Sequence, residues 1–372
     1  MPLDRRRFVR VMMAGGTALA AVPLLESCCG AGVAGEEARD PPADPLPGLD
    51  RGRTDILFLA SLAPSSHNIQ PWFVRIRDAD HWVVGADVNR RLSAVDPQNR
   101  ELMLSIGAFT ENIVLAASAS GYEAEIEVLA SRAFDADLLE VRLWAAQPAG
   151  YPLQRLSDRR TLRGGYSNAE LKADDVSALL EPLADRALFI PPSSPQAAYL
   201  KEAAVESFRA QTWRDAAQAE LAEWIRFDDN AVFAHRDGLT LASMEISGIA
   251  ACFVRLFADD VMSKNFREQG IKKTARLAGQ GGGWFVVSSG DDSVAGLIET
   301  GRRWQRMNLL LRERGIAAHP MSQMLEEEPW RGELAGQLGL TGVPQFVLRV
   351  GYVEDYPGPV SPRRPVSWFV RR

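Results

Sequence analysis

The 372-residue chain has few of the residues that build metal sites or disulfide frameworks. Its three cysteines form no Cys-x-x-Cys pair, and its four histidines, His67, His81, His235 and His319, show no ligand spacing, so no metal is expected. No Gly-x-Gly-x-x-Gly opens a helix after a strand-like run, which argues against a Rossmann dinucleotide site. Gly279-Gln280-Gly281-Gly282-Gly283 lacks the Gly-Lys-Ser/Thr of a P-loop and reads as a loose approach to the strand at Trp284. Positive charge is also short: a net charge of −6 and a pI near 5.5, with no basic stripe, argue against a nucleic-acid partner. The apolar stretch Val11 to Leu25 is fifteen residues long, too short to cross a ~30 Å hydrocarbon core as a permanent helix.

What is present first is a leader. Asp4-Arg5-Arg6-Arg7-Phe8-Val9-Arg10 resembles a twin-arginine export signal, so residues 1–34 read as a signal peptide, with the twin-arginine export machinery as a partner. Leu25-Glu26-Ser27-Cys28 resembles a lipobox, which would place a lipid anchor on Cys28. Glu26 is atypical there, and small residues near Ala34 offer a rival cleavage site. Residues 35–50, with Pro41, Pro42, Pro45 and Pro47, read as a linker. Loss of residues 1–27 removes four Arg and two acids and takes the net charge from −6 to −8, so anchoring could not rest on acidic lipid. The expected location is the periplasm or cell envelope.

The remainder, 46% hydrophobic and 24% charged over the whole chain, can bury a sizeable core. Residues Asp55 to Ala63 are apolar nearly all round and read as a buried helix stopped by Pro64. Trp72-Phe73-Val74-Arg75-Ile76 reads as a strand. Between them lie Ser65, Ser66, His67, Asn68 and Gln70, with Gln70 pushed toward extended backbone by Pro71. Ser and Asn also suit an ordinary polar turn. About ninety residues on, Arg159-Arg160-Thr161-Leu162-Arg163 offers two guanidinium forks and a hydroxyl. In extended backbone all three would face one side and could hold a dianionic phosphate. Alone, such a run is also an ordinary solvated basic segment.

Together these segments resemble the two FMN half-sites of the nitroreductase family, a Pro-Ser-Ser-x-Asn-x-Gln-Pro-Trp loop and an Arg-x-Ser-x-Arg segment. Thr161 stands where the family usually has Ser. A third element, Ser361-Pro362-Arg363-Arg364-Pro365, resembles the family's C-terminal phosphate-binding motif. Arg363 is the better match and Arg364 the alternative; Ser361 replaces a lysine common there, leaving one cation fewer. The fourth, Ala317-Ala318-His319-Pro320-Met321-Ser322-Gln323, falls where the family lays backbone amides against the reactive edge of the flavin, though His319 would also suit a surface turn. Asp96-Pro97-Gln98-Asn99-Arg100-Glu101 resembles the Acg-like branch. The resemblance implies Pro64, Ser65, Ser66, Asn68, Gln70, Arg159, Thr161, Arg163, His319, Pro320, Met321, Ser322 and Arg363 as FMN contacts. No catalytic residue is assigned; His67 is the candidate proton donor near the site.

The two parts of the chain look alike. The stretches Gly107 to Gly121 and Gly301 to Gly315 have equal span and each carries an apolar helical stripe. Each lies between strand-like runs: Trp82–Val84 and Leu139–Leu143 for the first, Trp284–Val287 and Phe346–Val350 for the second. A duplication follows. The expected architecture is an α+β nitroreductase-like fold duplicated within one chain as a pseudo-dimer, hence a monomer, with halves at 51–148 and 149–372. Further helices are expected from Asn168 to Leu180, from Ala203 to Trp224 and from Gly238 to Phe257, with a loop at Phe227 to Asn230. The region about 203–280 reads as a cap or an extra packing layer, with Cys252 a small core residue.

The expected function is an exported FMN-dependent oxidoreductase passing two electrons to a small acceptor, a nitro compound or quinone. Export would deprive it of nicotinamide, so the electron donor is left open. Two other readings follow from the same features. A flavin-storing protein without turnover would keep FMN beneath the cap, and an envelope lipoprotein using the fold only for partner binding would hold no flavin.

Overall fold

The computed structural model describes residues 33–247 and 261–372. The leader with its lipobox, and Cys252 with most of the helix expected around it, lie outside the described residues. The architecture is α+β, built on two antiparallel sheets separated by a pair of crossed helices. The first sheet holds β1 (Trp72–Ile76), β2 (His81–Ala86), β3 (Tyr122–Val128) and β4 (Asp137–Ala145). The second holds β5 (Ala187–Ile190), β8 (Gly283–Ser289), β9 (Ile316–Pro320) and β10 (Val343–Tyr352). The pairing order is β1-β2-β4-β3 in one and β5-β8-β10-β9 in the other, so the chain runs the same path through each. The C-terminal strand β11 (Val370–Arg371) adds to the first sheet beside β1, in parallel. A separate parallel pair joins β6 (Ile225–Arg226) to β7 (Leu239–Thr240).

Helix α1 (Arg51–Ser61) packs on α2 (Arg100–Ala119), and α2 crosses α7 (Val294–Leu310). Leu102, Met103, Ile106, Phe109 and Ile113 of α2 pack on the first sheet against Trp72, Val74, Trp82, Val84 and Leu139. Trp72 and Phe109 stack at 4.7 Å, a contact type that contributes about 0.5–1.5 kcal/mol beyond burial. Trp304 and Met307 of α7 face the second sheet through Phe285, Val287 and Leu348. By length and composition α2 could span a membrane, but it is largely buried between the first sheet, α1 and α7.

The second sheet is covered on both faces, and β8 is buried throughout. Its outer layer is α4 (Pro195–Trp213) with α6 (Lys264–Ala278) and α8 (Trp330–Leu338), meeting Trp284, Val286 and Val347. The helix expected over 203–224 begins earlier and breaks at Arg214, giving α4 and α5 (Asp215–Trp224). The helix expected from Asn168 starts only at α3 (Ala173–Leu180). Asn168 instead accepts a hydrogen bond from Gly281 N at 3.1 Å. Residues expected as a loop at 227–230 run into a helix, Asp229–His235, capped by Asp228. The helix expected from Gly238 opens instead on strand β7.

Residues 35–50 are docked rather than free. Arg363 N donates to Ala38 O at 2.8 Å, and Gly35 lies so close to Val360 that a Cβ there would meet its carbonyl at 1.9 Å.

Candidate functional site

Three candidate segments converge at the C-terminal end of α1. After Leu62 the chain turns through Ser66–Asn68 with His67, Asn68 and Gln70 at φ of 48°, 54° and 50°. Gln70 is therefore left-handed, not extended as its position before proline predicts. Left-handed backbone at three side-chain-bearing residues costs of order 1 kcal/mol or more each, so the surroundings must hold it. They do. Ser65 Oγ accepts from Gln70 N at 2.9 Å. The Gln70 side chain donates to Arg236 O at 2.9 Å and accepts from Arg364 N at 2.8 Å. Asn68 Nδ2 donates to Gly238 O and Pro362 O, each at 3.1 Å, while Oδ1 accepts from Arg363 at 2.9 Å. Ser66 Oγ donates to Glu101. Strain concentrated in one loop and fixed by its neighbours is the pattern of a site kept in one shape.

The C-terminal arginines supply much of that support. Arg363 is 3% exposed and donates to Leu62 O at 3.1 Å and Ala63 O at 3.3 Å, the open carbonyl end of α1, where a cation is favourable. Arg364 donates to Gln70 O at 2.6 Å and Trp72 O at 2.7 Å. Both arginines brace the loop through backbone carbonyls.

The basic segment divides. Arg159 is 7% exposed, gives one weak bond to Thr161 Oγ1 at 3.4 Å, and leaves its buried Nε without a partner. Its pKa is pulled down to about 10 by burial. Arg363 is lowered by burial and by the neighbouring Arg39 and Arg159, and its Nε is also buried and unpartnered. Among the described residues none of these three cations has a carboxylate within ion-pair distance. Arg163 goes elsewhere: its guanidinium donates to Ser243 O, and its backbone N donates to Glu245 at 2.6 Å. The shared face expected for Arg159, Thr161 and Arg163 is thus kept by the first two only.

Arg163 stands by the end of β9. His319 pairs with Arg349 across β9 and β10, and burial together with the charges of Arg163, Arg349 and Lys273 lowers its pKa far below the usual range. It is neutral, with Nδ1 buried and unpartnered. Burial likewise lowers His67, and its Nδ1 is unpartnered too. Pro320 ends the strand. Met321 N is committed to Val347 O at 2.8 Å and its side chain to the outer core. Ser322 Oγ accepts from Val347 N at 3.2 Å. The expectation that this stretch lays free amides on a ring edge therefore fails for Met321, because the sheet register consumes its amide.

Further groups reach the site, Arg100 and Glu101 from the run that resembles the Acg-like branch and Glu326 from outside every motif. Glu101 and Glu326 meet as carboxyls beside Ser66. Burial and Glu101 push Glu326 far above the carboxylate range, while Arg100, at 2.8 Å, holds Glu101 down against its own burial. The pair shares a proton that rests on Glu326. Gln211 donates to Glu326 at 2.5 Å, and Arg100 also donates to Gln345 O at 2.8 Å, tying α2 to β10. Arg39 and Arg349 are likewise invisible in the sequence, since each stands outside any motif.

The arrangement has two unlike ends. One gathers guanidiniums with spare donors and suits a terminal phosphate. The other offers neutral imidazoles and Arg163 and suits a ring edge bearing acceptors and a donor. Arg236 to Glu245 runs alongside both and bonds to Asn68, Gln70 and Arg163. A phosphorylated heteroaromatic cofactor fits.

No family model matches the chain. It is 27% identical over 341 residues to PigM of Serratia sp. (strain ATCC 39006), provisionally named an NAD(P)H nitroreductase; the alignment covers 85% of this chain and 92% of PigM. It is 26% identical over 338 residues to acg of Mycobacterium tuberculosis, named in the same provisional way, covering 83% of this chain and 92% of acg. Among solved structures, the FMN-dependent nitroreductase NfnB from Mycobacterium smegmatis, in complex with NADPH, covers 59% of this chain and 96% of its own at 14% identity and a TM-score of 0.36.

Proposed function

We propose that this chain is an FMN-dependent oxidoreductase of the nitroreductase type. The carrying observation is the buried pair Arg159 and Arg363, each with an unpartnered Nε and no carboxylate in ion-pair reach among the described residues. Near-full-length similarity to PigM and acg, both named as nitroreductases, supports it.

FMN, when bound, supplies two-electron chemistry, and the protein supplies orientation. Arg159 and Arg363 would hold the phosphate, with Thr161 keeping Arg159 in place. Ser65, Ser66, Asn68 and Gln70 shape the wall along the ribityl and ring, with Pro64 fixing where that wall begins. Arg163, His67 and His319 would face the ring and keep it from water, with Pro320, Met321 and Ser322 anchoring the end of β9. The acceptor is a small molecule such as a nitro compound or quinone.

The two matched sheets support an internal pseudo-dimer. So does the correspondence of Gly121 and Gly315, which follow the crossed helices with φ of 84° and 60°. On this reading the chain is a monomer with one flavin site. We further propose export by the twin-arginine route on the strength of residues 4–10, with a lipid on Cys28 as one processing outcome. The donor then follows from location: PigM and acg carry NAD(P)H in their names, a donor that suits a cytoplasmic enzyme and not an exported one. Fractionation of cells making C-terminally tagged protein decides this.

Flavin absorbance and fluorescence of the purified protein, before and after addition of FMN, test the central reading; no bound flavin in either state defeats it and favours pure partner binding. Storage remains the competing function because Arg236 to Glu245 hydrogen-bonds to Asn68, Gln70 and Arg163. Anaerobic reduction followed by nitroaromatics or quinones separates the two. Rapid reoxidation marks the enzyme, and an inert reduced flavin marks storage.

A further inference from the structure

The segment before α1 does more than connect. Gly35 packs on Val360, and the backbone bond from Arg363 to Ala38 at 2.8 Å fixes the next residue, Arg39, beside the C-terminal motif. Its guanidinium donates to Ser361 O at 2.9 Å and, more weakly, to Ser157 O at 3.4 Å. That places a cation next to the residue that lacks one, Ser361. It also stands with Arg159 and Arg363: burial and Arg159 bring the pKa of Arg39 down to about 10, and Arg39 in turn lowers Arg363. Asp158 and Glu36 act on Arg39 from beyond ion-pair distance, and Asp158 is engaged by Gln154 at 2.7 Å. Holding three guanidiniums together without a contacting anion is unfavourable, and a bound dianion would relieve it.

We propose that Arg39 is the third cation of the phosphate-binding end of the site, supplied by the N-terminal segment where the C-terminal motif has Ser361. The inference rests on the FMN reading and adds to it a residue outside the matched motifs. Cleavage after Ser27, or near Ala34, would leave Arg39 in the mature chain.

The test uses the full chain and two ligands, FMN and riboflavin, which share the ring and ribityl and differ in the phosphate. Arg39→Gln keeps a hydrogen-bond donor near Ser361 and removes the charge; Arg39→Lys restores charge. The expected result is FMN affinity lower by about ten- to a hundred-fold in Arg39→Gln, riboflavin affinity unchanged, and substantial recovery in Arg39→Lys. Thermal melts of the unliganded variants, expected to match wild type within a few degrees, show that the fold is intact. Equal FMN affinity in wild type and Arg39→Gln overturns the proposal. Parallel loss of FMN and riboflavin also overturns it, since Arg39 would then only pin the segment. Wild type that binds neither flavin defeats the FMN reading itself, a result visible before any variant is made.

Discussion

Gly107 of α2 and Gly301 of α7 sit against each other where the two central helices cross. A Cβ on Gly107 would lie 2.1 Å from Ile298 O and 2.9 Å from Gly301 Cα, and one on Gly301 would lie 2.1 Å from Leu104 O. Backbone, not a flexible side chain, fills each space, so neither helix can yield locally. Gly107→Ala and Gly301→Ala are each expected to destabilise by about 3 kcal/mol or more, at the upper end of overpacking effects. Urea unfolding of both variants checks this; midpoints within experimental error of wild type would mean that the crossing is looser than the geometry requires. An equal loss from the two positions is further expected if the crossing is symmetric.

Much of this interior was legible. The strand Trp72–Ile76 is found with the bounds expected, because apolar and aromatic runs between turn residues leave few alternatives. The helices expected between Gly107 and Gly121 and between Gly301 and Gly315 are present, since a face of Leu, Ile and Met has to be buried, but each begins a turn or more earlier, at Arg100 and at Val294. The linker was misread for a physical reason: proline content reports backbone stiffness, and Ala38 and Gly35 dock through backbone contacts that composition does not encode. Arg163 was misplaced because alternation predicts side-chain direction only in straight backbone, and residues 159–163 form no strand. The Glu101–Glu326 pair could not be read at all, as its members are 225 positions apart and meet only after folding.

The buried acids predict a pH dependence. Burial and Glu101 raise Asp96 from its ordinary 3.8 to about 7, although it accepts from Leu102 N at 2.9 Å. A carboxyl raised on folding adds stability below its unfolded pKa and loses it as pH rises through the folded value. Stability should therefore fall between about pH 4 and 7 on account of Asp96, and Glu326 extends the fall to higher pH. Asp96→Asn keeps an acceptor for Leu102 and cannot ionise. Its Tm should come closest to wild type below about pH 4 and exceed it by a margin that grows from pH 5 to pH 8. Parallel Tm profiles for the two proteins would show that Asp96 is not buried as an acid.

Arg163 is expected to act at the ring end. Arg163→Ala removes a charged donor beside His67 and His319, so FMN and riboflavin should both bind more weakly, by a similar factor. About 1.5–3 kcal/mol, or ten- to a hundred-fold in Kd, is the scale for such a contact. Fluorescence titration with each flavin gives the ratio. Loss confined to FMN would return Arg163 to the phosphate, against its placement with Ser243 and Glu245.

Arg159 and Arg363 look interchangeable in sequence and differ in what the fold already asks of them. Arg159 makes one long bond to Thr161, whereas Arg363 closes the end of α1, holds Asn68 and donates to Pro362 O at 2.9 Å. Removing Arg363 leaves several buried acceptors unmet, each costing about 1–3 kcal/mol, and frees the strained loop at His67 to Gln70. Arg363→Ala should therefore melt well below wild type before any ligand is added. Arg159→Ala should melt close to wild type, because burial of its charge is a cost the substitution removes, yet lose FMN affinity by at least ten-fold or so while keeping riboflavin. Melting curves with and without FMN resolve both variants in one experiment. Should Arg159→Ala keep its full FMN-induced stabilisation, the phosphate does not sit between these two residues, and the functional reading loses its main support.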